Sequence, residues 1–179
     1  MIPKKNINNT VLLIGSRGMV GSRVLESLTK PTMNYQVIAI NRHLDNNKKL
    51  KASYALDVSN KKELESIIKK IKPVHIIFAA GLNQLDVIES NRELSLRFNV
   101  DPIKTLIKVK KYYNNLVYLS TDSVFDGKKG EYIELDQPNP VNIYSSHKYM
   151  AEQIIRNNLA NYKIYRFNVV GFNFNKNQS

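Results

Sequence analysis

Between Ser120 and Lys148 the chain reads STDSVFDGKKGEYIELDQPNPVNIYSSHK, a hydroxyl pair followed by a tyrosine and a lysine four residues apart. On a helix, positions i and i+4 share a face, so the phenol of Tyr144 and the ammonium of Lys148 can converge on one site. A free tyrosine, with a pKa of about 10, is a poor proton shuttle near neutrality, and a neighbouring cation draws that pKa toward the working range. The pairing therefore predicts proton transfer at a carbonyl or carbinol carbon. The same spacing also arises on solvated helices, and 27 Lys and Arg in 179 residues make such pairs common. Its weight comes from what surrounds it.

The elements that must position these groups are legible as short apolar runs alternating with longer amphipathic segments, the pattern of βαβ units feeding a parallel sheet. Strands are predicted over 10–14, 36–40, 74–79, 116–120 and 163–167, and helices over 19–29, 61–71, about 93–113 and 144–158. Pro31 and Pro73 follow helices, while Pro102 starts one or bends it. The fold class is then α/β, a doubly wound parallel sheet, with ligands expected at the carboxyl ends of the strands where the winding reverses. Ser120 and Thr121 sit at one such end and Gly15 at another.

The run TVLLIGSRGMVGSRVLESL is an apolar strand, a turn with Gly15, Gly18 and Gly21, and an amphipathic helix. Gly15 permits a tight turn, Gly18 a close approach of backbone to pyrophosphate, and Gly21 close packing of helix on strand, with helix N-terminal amides facing the phosphates. The spacing G-x-x-G-x-x-G differs from the common G-x-G-x-x-G, but strand before and helix after support dinucleotide binding. At the end of the next strand, VIAINRH carries Asn41 and Arg42 rather than an acid for ribose hydroxyls. Arg42, with Arg17 in the turn, can pair with a 2′-phosphate, which favours NADPH over NADH; otherwise both arginines are simply solvated. Asp57 in YALDVS either accepts from an adenine amino group or caps the helix beginning near Lys61. FAAGLN ends the third predicted strand in small residues that leave room for a cofactor, and Asn99 in RFNV is either a polar helix residue or an active-site donor.

Composition narrows the class. The length suits a single NAD(P)-binding domain over 1–179. No run of 18 apolar residues and no apolar segment in MIPKKNINNT are seen, so the expectation is a cytoplasmic protein with no membrane partner. Zero cysteines exclude disulfides and thiolate chemistry, and three dispersed histidines, His43, His75 and His147, argue against a metal site. The net charge of +12 is spread over scattered lysine pairs with no basic arm, so nucleic acid is not expected, while a positive field suits an anionic small molecule.

With the glycine turn, ALDVS, AAG, the RFNV asparagine, STDSVFDG and YSSHK in this order, the chain resembles the extended short-chain dehydrogenase/reductases, a Rossmann-like family. Within them it is most similar to the dTDP-4-dehydrorhamnose reductase group, whose STDYVFDG is followed by Y-x-E-x-D, a proline and Y-x-x-S-K. The turn GSRGMVGS is closer to that of GDP-fucose synthases, whose arginine at the place of Arg17 serves NADPH. The resemblance runs from about Thr10 to Gly171 and implies NADPH-dependent reduction of the 4-keto group of a nucleotide-activated deoxysugar. It makes Tyr144 the general acid, Lys148 the group that holds the nicotinamide ribose and lowers the phenol's pKa, and Thr121 the residue that polarises the ketone. It places Asp122 and Ser123 beside the sugar, and Gly15, Arg17, Gly18, Met19, Val20, Arg42, Asp57, Val58, Ala79, Ala80, Gly81 and Asn99, with Tyr144 and Lys148, along the cofactor. Nicotinamide supplies the hydride and the protein supplies orientation and proton control.

Two departures qualify the implied activity. Ser123 replaces the group's usual tyrosine beside the sugar, and the sequence stops at Ser179 where those enzymes continue into most of the nucleotide-sugar pocket. The expectation is a C-terminal substrate lobe that is largely missing, supplied by a partner chain or a homodimer. The alternative is a regulatory, dinucleotide-binding subunit or fragment without turnover, as in the methionine adenosyltransferase beta subunit, which has the same general resemblance.

Overall fold

A computed structural model of the chain describes residues 9–168, and within them six parallel strands form one sheet. They are β1 (Thr10–Ile14), β2 (Gln36–Asn41), β3 (Ala52–Ala55), β4 (His75–Phe78), β5 (Asn115–Leu119) and β6 (Tyr162–Tyr165), in the order β3-β2-β1-β4-β5-β6. The winding reverses between β1 and β4, with β1 at the centre, paired with β2 over Thr10 to Ile14 and with β4 over Val11 to Ile14. Five of the strands match the expectation to within a residue or two. β3 is additional: it is four residues of half-buried edge with a single neighbour, so no apolar run announces it. The Val169 to Gly171 end of the resemblance lies outside the described residues.

The helices are α1 (Met19–Leu28), α2 (Lys61–Ile71), α3 (Leu85–Ser90), α4 (Arg92–Asn99), α5 (Asp101–Lys108) and α6 (Ile143–Asn158). One helix predicted over about 93–113 is thus two, followed by a 3-10 turn at Lys110–Tyr112, and α3 is an addition. The break has a covalent cause: Pro102 lacks an N–H and sits in the first turn of α5. Asn91 ends α3 and, by accepting from the Leu94 amide, caps α4. None of the helices among the described residues is long and apolar enough to cross a membrane.

Alternation along β1 sends Leu12 and Ile14 to one face and Leu13 to the other. On the first face, Leu64 and Ile68 of α2, Ile103 and Leu106 of α5, and Ala151 and Ile155 of α6 close over Ile38, Ile76, Phe78, Leu116 and Tyr118. On the second, Leu25 of α1 packs with Leu13 and Val37. The turn from β1 into α1 is sterically exacting. Gly15 has φ +92°, and a Cβ there would lie 2.7 Å from the Ala80 nitrogen. A Cβ on Gly21 would lie 1.9 Å from the Gly15 carbonyl oxygen.

Helix α6 is fastened to the ends of β5 and β6 by polar groups buried in this packing. The Glu152 carboxylate, fully buried, accepts from Ser120 Oγ at 2.6 Å and from the Arg166 guanidinium at 2.6–3.1 Å. One turn earlier, Lys148 donates to the Leu119 carbonyl at 2.6 Å, and its Nζ stands 4.2 Å from the Tyr118 ring centroid. Burial holds the Lys148 amine down to about 7, partly opposed by the nearby Glu152 carboxylate.

Two stability outcomes follow from these contacts. Gly21→Ala is expected to lose about 2 kcal/mol or more in urea unfolding, because a backbone clash outweighs the roughly 1 kcal/mol that alanine adds in a helix. Gly18→Ala, whose Cβ would sit 3.5 Å from the Gly15 oxygen, is expected to leave the midpoint nearly unchanged. For Lys148, the unfolded chain binds the extra proton between about pH 7 and the ordinary lysine range, so stability rises with pH across that window. Lys148→Met is expected to flatten that rise, and a curve of unchanged slope would show that the ammonium is not desolvated in the fold.

Candidate functional site

The reversal point between β1 and β4 opens into a cleft of about 590 Å³ at the carboxyl ends of the strands. Its walls come from Gly15, Arg17 and Gly18 after β1, Ile40, Asn41, Arg42 and His43 at the end of β2, Leu56, Asp57 and Val58 after β3, and Ala79 to Gln84 after β4, with Phe98 from α4. Most of the cofactor residues expected from sequence therefore share one cleft: Gly15, Arg17, Gly18, Arg42, Asp57, Val58, Ala79, Ala80 and Gly81. α1 starts directly behind it with Gly18 as N-cap, no side chain capping it and no acid in its first turn, so the helix presents a positive dipole end.

The arginines are held to their surroundings. Arg17 donates from Nη1 to the Leu44 carbonyl at 3.1 Å and from its backbone N–H to Asn41 Oδ1 at 3.1 Å. Arg42 is exposed, with its guanidinium carbon 6.0 Å from the Phe98 ring centroid. The buried Asn41 is the brace: it also donates to Ser16 Oγ at 2.8 Å, and Ser16 in turn donates to Asp45 Oδ2 at 2.8 Å. This network fixes the glycine turn against the end of β2. Asp57 accepts from the Ser59 amide at 2.8 Å, whereas Asn60 caps α2, so the capping alternative for Asp57 is excluded.

Five expected cofactor residues are absent from this cleft: Met19, Val20 and Asn99, and, on α6, Tyr144 and Lys148. Met19 and Val20 occupy the first turn of α1, half-buried. Asn99 stands behind the wall, 1% exposed, with Oδ1 accepting from Leu82 N–H and Nδ2 donating to Leu82 O, both at 3.0 Å. Its amide is spent on the strip that lines the cleft, so it braces the wall and does not form it. The lining residues Leu56, Gln84 and Phe98 carry no signal of their own in the sequence; Leu82 and Asn83 are part of FAAGLN, and Phe98 joins their wall through α4, whose Asn99 bonds both backbone groups of Leu82.

The acid–amine helix lies at the neighbouring strand end. Asn142 caps α6 by accepting from the Ser145 amide at 2.8 Å, placing Tyr144 in its first turn. Thr121, buried at the end of β5, accepts from the Ser123 amide at 3.2 Å, and its hydroxyl lies 3.1 Å from Ser123 Oγ and 3.3 Å from Asp122 Oδ1. Asp122 and Ser123 open onto a second cleft of about 520 Å³, also lined by Phe125, Tyr132, Asn142 and Arg166. Thr121, Tyr144 and Lys148 line neither cleft.

The electrostatics correct one expectation. Burial pushes the Tyr144 phenol above its ordinary value, and the Asp122 carboxylate adds to the rise. A lowering by Lys148 does not emerge, for two physical reasons. The lysine's Nζ is drawn to the Leu119 carbonyl and the Tyr118 ring, and its own desolvation brings it close to losing its charge near neutrality. The Tyr144 phenol therefore keeps its proton at neutral pH.

The RmlD substrate binding domain family matches residues 9–178. The dTDP-4-dehydrorhamnose reductase of Salmonella typhimurium is 30% identical over 158 residues, 87% of this chain and 50% of that one. The methionine adenosyltransferase 2 subunit beta of Bos taurus is 30% identical over 155 residues, 86% of this chain and 45% of its own. A crystal structure of dTDP-4-dehydrorhamnose reductase from Bacillus anthracis in complex with NADP aligns at a TM-score of 0.75 and 28% identity, over 94% of this chain and 57% of that chain. The chain spans about half the length of these curated relatives. With a sheet of Rossmann order, a glycine turn opening on an arginine-lined cleft, and a family match over nearly every described residue, the chain belongs to the RmlD substrate binding domain family.

Proposed function

We propose that this chain binds NADPH in the β1–β4 cleft and reduces the 4-keto group of a nucleotide-activated deoxysugar. The observation that carries the reading is a protonated, half-buried phenol, Tyr144, at the strand end next to a cleft lined by two arginines. The residues present fit the cofactor. The end of β2 offers Arg42 and no carboxylate, α1 opens on the cleft without a capping side chain, and the Ala79–Gly81 strip is small.

In this reading Arg17 and Arg42 pair with the 2′-phosphate, and the turn from Gly15 to Gly18 with the Met19 and Val20 amides holds the pyrophosphate. Asp57 accepts from the adenine amino group beside Val58, and Ala79, Ala80 and Gly81 lie against the cofactor backbone. The bound nicotinamide supplies a hydride to the carbonyl carbon. Tyr144 gives its proton to the C4 oxygen, Thr121 hydrogen-bonds the ketone, and Lys148 holds the nicotinamide ribose. Asp122 and Ser123 border the sugar in the second cleft. Burial of Tyr144 keeps the acid charged with its proton until the carbonyl oxygen becomes more basic than the phenolate.

A second reading keeps the cofactor and drops the turnover: a dinucleotide-binding subunit. The similarity to methionine adenosyltransferase 2 subunit beta favours it, because the identity and chain coverage are close to those for the reductase.

Tyr144→Phe separates the two. It is expected to lower NADPH-dependent reduction of 4-keto nucleotide sugars by about 100-fold or more while NADPH affinity stays within about twofold. Binding without turnover in both wild type and variant selects the subunit reading. Arg42→Asp is expected to weaken NADPH binding by about 10- to 100-fold with little change for NADH, the loss of one charge-assisted contact to phosphate. An unchanged cofactor preference would sink the assignment of Arg42.

A further inference from the structure

Asn99 does not stand alone behind the cleft wall. Its Nδ2 also donates to Ser95 Oγ at 3.2 Å, and Ser95 Oγ lies 2.8 Å from His147 Nδ1. Ser95 is fully buried and His147 is 1% exposed. The contacts thus run from Leu82 in the cleft wall through Asn99 and Ser95 on α4 to His147 on α6. His147 is the residue before Lys148 and three after Tyr144.

The directions at Asn99 can be assigned. Leu82 N–H can only donate, so Asn99 Oδ1 faces it and Nδ2 faces Leu82 O and Ser95 Oγ. Both amide protons of Asn99 are then used. The Ser95 hydroxyl, which accepts from Asn99, shares one further hydrogen bond with His147 Nδ1, carried by whichever of the two holds the proton. His147 Nε2 is buried and has no partner among the described residues, so the Ser95 contact is the hydrogen bond that orients the ring. Burial and the Arg92 guanidinium both disfavour the imidazolium, only partly offset by Glu89.

We infer that Ser95 and His147 are positioning residues: their hydrogen bond ties the helix that carries Tyr144 and Lys148 to the Gly81–Leu82 wall of the cleft. Neither touches a cofactor in this assignment. Each acts through Asn99, which holds the wall by both backbone groups of Leu82. The link sets the separation between the strip against which the cofactor lies and the helix face that delivers the proton. Its functional consequence rests on the NADPH reading above, whereas the link itself does not.

The test uses two readouts on the full chain. The first, with no cofactor added, is hydrogen exchange at the Leu82 amide. His147→Ala and Ser95→Ala are each expected to speed it by about tenfold, the double variant no more than either single, with the Leu13 amide in β1 unchanged. His147→Asn puts an amide oxygen where Nδ1 stood and is expected to restore slow exchange. Unchanged exchange at Leu82, equal acceleration at Leu13, or failure of the asparagine to restore it overturns the inference. The second is NADPH titration, in which the alanine variants are expected to bind about 3- to 10-fold more weakly and His147→Asn like wild type. If wild type does not bind NADPH, the cofactor reading falls and the exchange data still decide the link. If wild type binds and the alanine variants bind equally well, the positioning role is overturned.

Discussion

The site depends first on a charge that has been taken out of water. Glu152 has no solvent exposure, and an isolated carboxylate in such a place costs several kcal/mol. It is tolerable only because Ser120 and the Arg166 guanidinium supply three short donors, with Arg156 at the rim. Those partners come from the end of β5 and from the residue after β6, so satisfying one carboxylate docks α6 onto both strand ends. Thr121 follows Ser120 directly, and Lys148 lies one turn before Glu152. The hydroxyl, phenol and amine of the candidate site inherit their positions from this clamp. Arg166 carries the order outward: it stacks over Phe125 at 5.1 Å, Phe125 stacks on Tyr132, and Tyr132 donates to Asp126, whose carboxyl is thereby held down to about 2. The wall of the second cleft is an extension of the same anchor.

The second constraint is steric and lies across the sheet. Gly21 lets α1 come so near the turn that its uncapped N-terminus starts beside the cleft that Arg17 and Arg42 line. The two halves therefore work by different physics. The β1–β4 cleft gathers positive charge where backbone can approach closely, and α6 buries a phenol and an amine whose charged forms are disfavoured beside a Glu152 carboxylate held by Ser120 and Arg166. Desolvation opposes both the Tyr144 phenolate and the Lys148 ammonium, so the helix stores a proton on the phenol at neutral pH. α6 thus presents a protonated phenol, and a lysine whose Nζ is engaged by the Leu119 carbonyl and the Tyr118 ring.

Most of the architecture was legible in the order of residues. Apolar runs mark β1 and β2 because these central parallel strands are buried on both faces, while β4 and β5 alternate fully and partly buried residues and still read as apolar. The edge strand β6 is also legible, from YKIY, whereas β3, ASYA, offers no large aliphatic residue to mark it. Periodicity found the segment near residues 93–113 but not its division, which falls where Pro102 starts α5; α4 buries Ser95 and Asn99, while α5 buries Ile103 and Leu106. The glycine turn, the arginine pair, Asp57 and the AAG strip could be assigned to one cleft because each directly follows a strand, and strand ends converge in a doubly wound sheet.

The residue order by itself determined the fold class, the glycine turn between β1 and α1 and the four-residue step between Tyr144 and Lys148, since these are local properties of backbone and pattern. Only the tertiary structure decided what those side chains meet. Spacing put the phenol and the amine on one face, but burial sent the amine to the Leu119 carbonyl and left the phenol protonated. The RFNV motif and its resemblance made Asn99 a candidate contact, but the fold turned its amide toward Leu82 and Ser95, and through Ser95 toward His147. Hydrogen-bond partners and desolvation arise between segments distant in sequence, and no pattern within a segment encodes them.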